Sequence, residues 1–156
     1  MQDFQAFTIK YSGRTSVLRT KVKLSLPSSS PLLDATEVDA IWDTGASCTV
    51  ITRKFASQLG LIASGKTKVT GIDNNTTEEN TFLVNLYLPN MVCITFLKIA
   101  EVAGISGGDI LIGMDVIGSG DFSIFTENEK TVMTYRFPSI GGTDFVELAG
   151  NIRSQR

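Results

Sequence analysis

The chain has 156 residues, the size of one domain, and 42% of them are hydrophobic, which suits a globular core. Its net charge is -2 with 14 scattered basic residues, and no apolar run reaches the length of a membrane span, so neither nucleic acid nor membrane is expected as a partner. Histidine is absent, which excludes Ser-His and Cys-His nucleophilic pairs and histidine-based zinc sites.

Phe7 to Tyr11 alternates apolar and polar residues, and so does Leu18 to Leu26. Both read as half-buried strands, with Tyr11 to Arg14 as the turn between them. Pro27-Ser28-Ser29-Ser30-Pro31 reads as a loop, and Val38 to Trp42 as a strand running into Asp43. Thr52 to Gly60 predicts a helix: Thr52 caps it, Phe55 and Leu59 share a face, and Gly60 suits the left-handed position that ends it. Thr67 to Gly71 and Thr81 to Leu88 predict a hairpin with a polar tip at Asp73 to Thr76. Val92 to Val102 reads as a strand. Asp109 to Gly113 reads as a buried strand, followed by a short helical turn over Met114 to Ile117. Phe122 to Phe125 and Val132 to Phe137 predict a last hairpin around Glu127-Asn128-Glu129, and the tail from Pro138 has no clear pattern. The N-terminus lacks the basic and apolar regions of an export signal, so the expected location is cytoplasmic. Cys48 and Cys93 are expected to be free thiols, Cys48 as a small buried hydrophobe.

The chemistry lies in Ile41-Trp42-Asp43-Thr44-Gly45-Ala46-Ser47. An apolar strand delivers one aspartate onto a Thr-Gly turn. Gly45 permits a tight turn and a close backbone approach, Ala46 is small where a substrate backbone could lie, and Ile41 and Trp42 supply a dry support. Hydrolysis of a peptide by water needs a base for the water and an acid for the carbonyl oxygen. Two carboxyl groups about 3 Å apart, sharing one proton, do both, as is known for aspartic proteases. The Asp-Thr-Gly turn occurs once in the chain. The natural source of the second carboxylate is therefore a second copy. Asp109 and Asp115 stand outside any such turn and read as turn or cap residues. Gly104 to Gly108 precedes a strand rather than a helix, so it reads as a loop and not a phosphate site.

Together, Ile41 to Ser47 and the downstream Ile110-Leu111-Ile112-Gly113-Met114-Asp115 resemble the retropepsin-like aspartic protease family, most of all its bacterial members. The resemblance implies an all-β, single-lobed acid protease barrel with one or two short helices, acting as a homodimer. It implies one domain over 1–156, with a core of about 5–137 and a tail over 138–156. Asp43 matches the catalytic aspartate, and Thr44 and Gly45 match the support of its loop. Ala46, Ser47 and Leu111 match substrate-contacting positions, and so do Gly71, Ile72 and Asp73 at the tip of a substrate-covering flap. Ile112 and Gly113 match the segment threaded behind the catalytic loop. The implied activity is endopeptidase cleavage, with peptide or protein as substrate and no metal or organic cofactor. Two departures stand out: the flap tip is polar rather than glycine-rich, and the dimer sheet follows a longer insertion, with Val132 to Phe137 as its expected contributor. The rival reading keeps the fold without the chemistry, as a catalytically silent peptide-binding or dimerisation module. Intact Asp43 and Thr44 favour the enzyme, because a binding module has no need of a carboxylate held against its own copy.

Overall fold

Alternating side chains build most of this chain into strands. The structure, a computed structural model, describes residues 5–27, 35–71, 74–89 and 92–154, with side chains described through 150. Ile72, Asp73 and most of the loop expected over Pro27 to Pro31 lie outside the described residues. The strands are β1 (Gln5–Lys10), β2 (Leu18–Ser25), β3 (Thr36–Trp42), β4 (Val50–Thr52), β5 (Gly65–Thr70), β6 (Thr76–Tyr87), β7 (Cys93–Val102), β8 (Ile110–Ile112), β9 (Asp121–Glu127) and β10 (Lys130–Phe137). The helices are α1 (Arg53–Gln58), α2 (Met114–Ile117) and α3 (Phe145–Ser154).

Six strands close on themselves in the order β2-β3-β8-β4-β7-β6, because β6 also pairs with β2 through Leu24 and Leu86. The first half of β6 leaves this barrel to form a hairpin with β5. Barrel strands turn Val22, Ala40, Ile51, Val84, Ile99 and Ile110 inward, all buried. Thr52 caps α1 by accepting a hydrogen bond from the Phe55 N–H at 3.2 Å, and Gly60 ends the turn with φ +63.

A second sheet, β1-β10-β9, packs on the barrel through aromatic rings. Trp42, the last residue of β3, lies 5.9 Å from Phe7 of β1, 5.3 Å from Tyr135 of β10 and 5.7 Å from Phe122 of β9, stacked on the last at an interplanar angle of 4°. Two buried polar atoms in this cluster are matched. The Trp42 indole N–H donates to Thr20 Oγ1 at 2.9 Å, and the Tyr135 hydroxyl donates to the Val116 carbonyl at 2.8 Å.

Two elements of the fold depart from the sequence expectations. β1 and β2 are not a hairpin: β1 pairs with β10 and β2 with β3. Alternation reveals which face of a strand is buried but not which strand lies beside it. The unpatterned tail contains a third helix, α3, beyond the one or two expected; Asp144 Oδ1 caps it by accepting from the Val146 and Glu147 N–H groups. Its apolar residues Phe145, Val146 and Leu148 remain exposed, and without a buried stripe the helical period was hard to read.

Asp121 anchors the start of this tail. Its carboxylate accepts hydrogen bonds from the Ser139 hydroxyl, the Ile140 N–H and Arg136, and these hold it well below the usual carboxylate range. Because the folded protein favours the charged form, the stabilisation is complete above the unfolded value near ~3.9 and is lost as pH falls through the lower folded value. Asp121→Asn should therefore lower the melting temperature at pH 7, with the gap to the parent narrowing below about pH 4. Equal gaps at neutral pH and at pH ~2.5 would refute this linkage.

Candidate active site

β3 ends at Trp42 and β4 begins at Val50, yet these two strands do not pair with each other. β8 runs between them, parallel to β3 through Ile41↔Leu111 and Trp42↔Ile112, and antiparallel to β4 through Val50↔Leu111 and Ile51↔Ile110. The loop from Asp43 to Thr49 therefore arches over the end of β8. Five bonds tie it to the segment from Ile112 to Asp115. The Asp43 N–H donates to the Ile112 carbonyl at 3.0 Å, and the Met114 N–H donates to the Ala46 carbonyl at 2.8 Å. The Gly113 N–H donates to Thr49 Oγ1 at 3.2 Å, and the Thr49 hydroxyl donates to Asp115 Oδ1 at 2.8 Å. Asp115 Oδ2 also accepts from the Thr49 N–H at 2.9 Å.

Inside the loop the Gly45 N–H donates to Asp43 Oδ1 at 2.8 Å, which orients the carboxylate. Asp43 and Ala46 are half-buried, while Thr44, Gly45 and Ser47 are exposed. The turn thus stands at the surface of the single chain on a rigid floor. Ile112 and Gly113 are buried in that floor, and Leu111, between two fully buried isoleucines, turns the other way and is half-exposed. The β5–β6 hairpin carries Gly71 at its tip, where the Gly71 N–H donates to the Asn75 carbonyl at 3.0 Å. No bond of the structure joins Gly71 to the Asp43 loop among the described residues.

Asp109 and Asp115, and two further aspartates, Asp121 and Asp144, have partners of their own. Asp109 Oδ1 accepts from the Thr52 hydroxyl, Asp115 from Thr49, Asp121 from Ser139 and Arg136, and Asp144 from the first turn of α3. Cys48 and Cys93 are free, but Cys48 is only half-buried rather than fully so, because the loop that carries it lies at the surface. Burial and the nearby Asp115 carboxylate push its thiol up. Among the described residues no group of three or more Cys, Asp or Glu side chains is placed to hold a metal ion, and no helix is long and apolar enough to cross a membrane.

Thr49 and its bond to Asp115 were not foreseen. The one sign in the sequence is a hydroxyl, Thr49, between Cys48 and Val50, and that pattern alone does not name its partner.

A sequence profile for the family described as Aspartyl protease matches residues 32–116, more than half of the chain, with both Asp43 and Gly113 inside the match. The chain belongs to the aspartyl protease family. No curated protein matches the sequence significantly. Solved structures extend the likeness to the fold. A retropepsin-like aspartic protease from Rickettsia conorii aligns with a TM-score of 0.55 at 13% identity, over 86% of this chain and 95% of that one. EIAV protease, solved with the inhibitor HBY-793, aligns with a TM-score of 0.52 at 17% identity, over 70% of this chain and 92% of that one. The aspartyl protease fold is thus retropepsin-like, a mainly β barrel with few short helices.

Proposed function

We propose that the protein is an aspartic endopeptidase and that two copies form the site, each contributing Asp43. The observation that carries this reading is the surface position of a single Asp43 carboxylate on a turn bonded to β8 and α2. A carboxylate so fixed, half-buried and beside an exposed Thr-Gly turn, is poised to meet its own copy across a two-fold axis. In that pair, one carboxyl activates water and the other, protonated, donates to the scissile carbonyl. Thr44 would hold the two loops together, and Gly45 would let substrate backbone approach. Ala46, Ser47 and Leu111 would contact an extended peptide, bound mainly through its main chain. Gly71, Ile72 and Asp73 are proposed to cover it. No cofactor enters this chemistry, and the whole chain is read as one domain.

Digestion of a diverse peptide pool, read by mass spectrometry with and without a transition-state-mimic inhibitor, tests the activity. Molecular mass measured on the same samples tests the assembly. Cleavage per chain should rise with protein concentration as dimers form, level off once the chain is dimeric, and stop with the inhibitor. Inhibitor-sensitive cleavage by a sample that stays monomeric would overturn the shared site. A stable dimer that binds peptides without cutting them would overturn the endopeptidase reading.

A further inference from the structure

The barrel face that leads to Asp43 carries a cation with no acid to answer it. In β3, Val38, Ala40 and Trp42 are buried, while Asp39 and Ile41 turn to the other face, and Asp43 follows them. Ile41 stands beside Leu111 of β8 and opposite Arg19 of β2, so Arg19, Ile41 and Leu111 form one row across three strands. Farther from Asp43 the next cation is Lys21, and Asp39 takes its ammonium at 2.8 Å. Arg19 differs. Its exposed guanidinium donates to the Gly107 carbonyl, a neutral acceptor, and among the described residues no carboxylate pairs with it.

Two neighbours hold Arg19 in place. Gly107, with φ +78, presents the carbonyl, and an added Cβ there would stand 2.5 Å from the Arg19 Nη2. The small sheet supplies the second. Its strand β10 is bonded on both sides, to β1 and to β9, and has no edge left for a partner, which corrects the expectation that Val132 to Phe137 builds a dimer sheet. What this sheet gives the site is Tyr11, the residue after β1. The Tyr11 hydroxyl accepts from the Arg19 N–H at 2.9 Å and donates to the Arg19 carbonyl at 3.0 Å. Both main-chain groups of Arg19 are thus turned away from Ile41, which makes these two a non-hydrogen-bonded pair with Cα atoms about 4.5 Å apart.

We infer that Arg19 selects substrates with an acidic residue within about three positions of the bond that is cut. This rests on the endopeptidase reading above and names its substrate class. Two residues along β3 and one step across to β2 separate Asp43 from Arg19, about 8 Å between Cα atoms, the span of two to three residues of extended peptide. The half-exposed Ile41 and Leu111 line that interval, so an apolar residue fits nearest the cut and the guanidinium comes next. A guanidinium binds a carboxylate through a fork of N–H groups, and the bond to Gly107 leaves most of that fork unused. The acids of this face do not cancel the charge. Asp39 is held by Lys21, Asp109 accepts from the Thr52 hydroxyl, and Glu37 lies opposite Lys23 at the far end. In a two-fold assembly one Arg19 stands on each side of the cut, so the preference applies on both sides.

The peptide pool tests this on the full chain in two ways. Peptides cut by the parent should be enriched in aspartate or glutamate within about three positions of the cut, on both sides. For a cut peptide and its counterpart with that glutamate replaced by glutamine, kcat/KM should favour glutamate at least about tenfold at low salt and less at high salt. In Arg19→Gln, with its fold checked by circular dichroism, that ratio should fall to about one, and Arg19→Lys, which keeps the charge without the fork, should retain part of it. Separately, peptides retained from the pool by immobilised Asp43→Asn protein should show the same acidic enrichment, and adding Arg19→Gln should abolish it. Inhibitor-sensitive cleavage without acidic preference, or a ratio that Arg19→Gln leaves unchanged, overturns the role of Arg19 and keeps the protease reading. Arg19-dependent retention of acidic peptides by a parent that cuts none overturns the protease reading and keeps the acidic preference. Neither cleavage nor retention overturns both.

Discussion

Replacing Asp43 by asparagine, Asp43→Asn, is expected to reduce peptide hydrolysis by at least about a thousandfold while leaving the fold and the assembly intact. The substitution keeps an oxygen where Asp43 Oδ1 accepts the Gly45 N–H, so the turn retains its internal bond. The bonds that join the loop to Ile112, Gly113, Met114 and Asp115 do not involve the Asp43 side chain, and they stay. What the amide cannot do is share a proton with a second carboxyl group or take one from water. In the proposed symmetric dimer both Asp43 carboxylates are lost at once, so no partial dyad would remain. The measurement is kcat/KM on a cleaved peptide from the pool, beside sedimentation and thermal melting. Activity within tenfold of the parent, in a correctly assembled protein, would remove Asp43 from the chemistry.

Gly113→Ala is the second large expected effect, and it acts through the backbone. Gly113 has φ -97 and ψ -172, a conformation open to any residue, so no torsional strain is involved. The obstacle is contact: an added Cβ would stand 2.5 Å from the carbonyl carbon and oxygen of Cys48 and 2.9 Å from its nitrogen. Atoms that close must separate, and the neighbours are main chain, which yields less readily than a flexible side chain. The displaced segment is the Asp43 loop itself. Overpacking of this kind costs about 1–3 kcal/mol of stability, and a shift of about 1 Å in a reacting group costs about a hundredfold in rate. The urea midpoint and kcat should therefore both fall. A variant with parental stability and parental kcat would show that the Cys48 backbone moves aside freely and that the close packing has no bearing on the site.

Some of this architecture could be read residue by residue, and some could not. The alternation in Leu18 to Ser25 and Val132 to Phe137, the cap at Thr52 and the left-handed Gly60 are local facts, and each appears in the fold where expected. The approach of Trp42 to Asp43 and the short turn over Met114 to Ile117 were legible for the same reason. The bond from Thr49 to Asp115 spans 66 residues, and nothing in either neighbourhood announces it. The pairing of β1 with β10 crosses nearly the whole chain, and α3 carries its apolar side chains into the open, where no buried stripe marks a period.

Asp43 on its Thr-Gly turn, the alternating strands and the absence of histidine follow from residue order alone, because backbone preference and side-chain period act over a few neighbours. Tertiary packing decided that β8 threads between β3 and β4, that four aromatic rings join the small sheet to the base of the Asp43 turn, and that β9 rather than β10 keeps a free edge. These are choices of partner. Partners are selected by main-chain hydrogen bonds and shape, which are nearly the same for every strand and so leave little trace in the side chains that spell it.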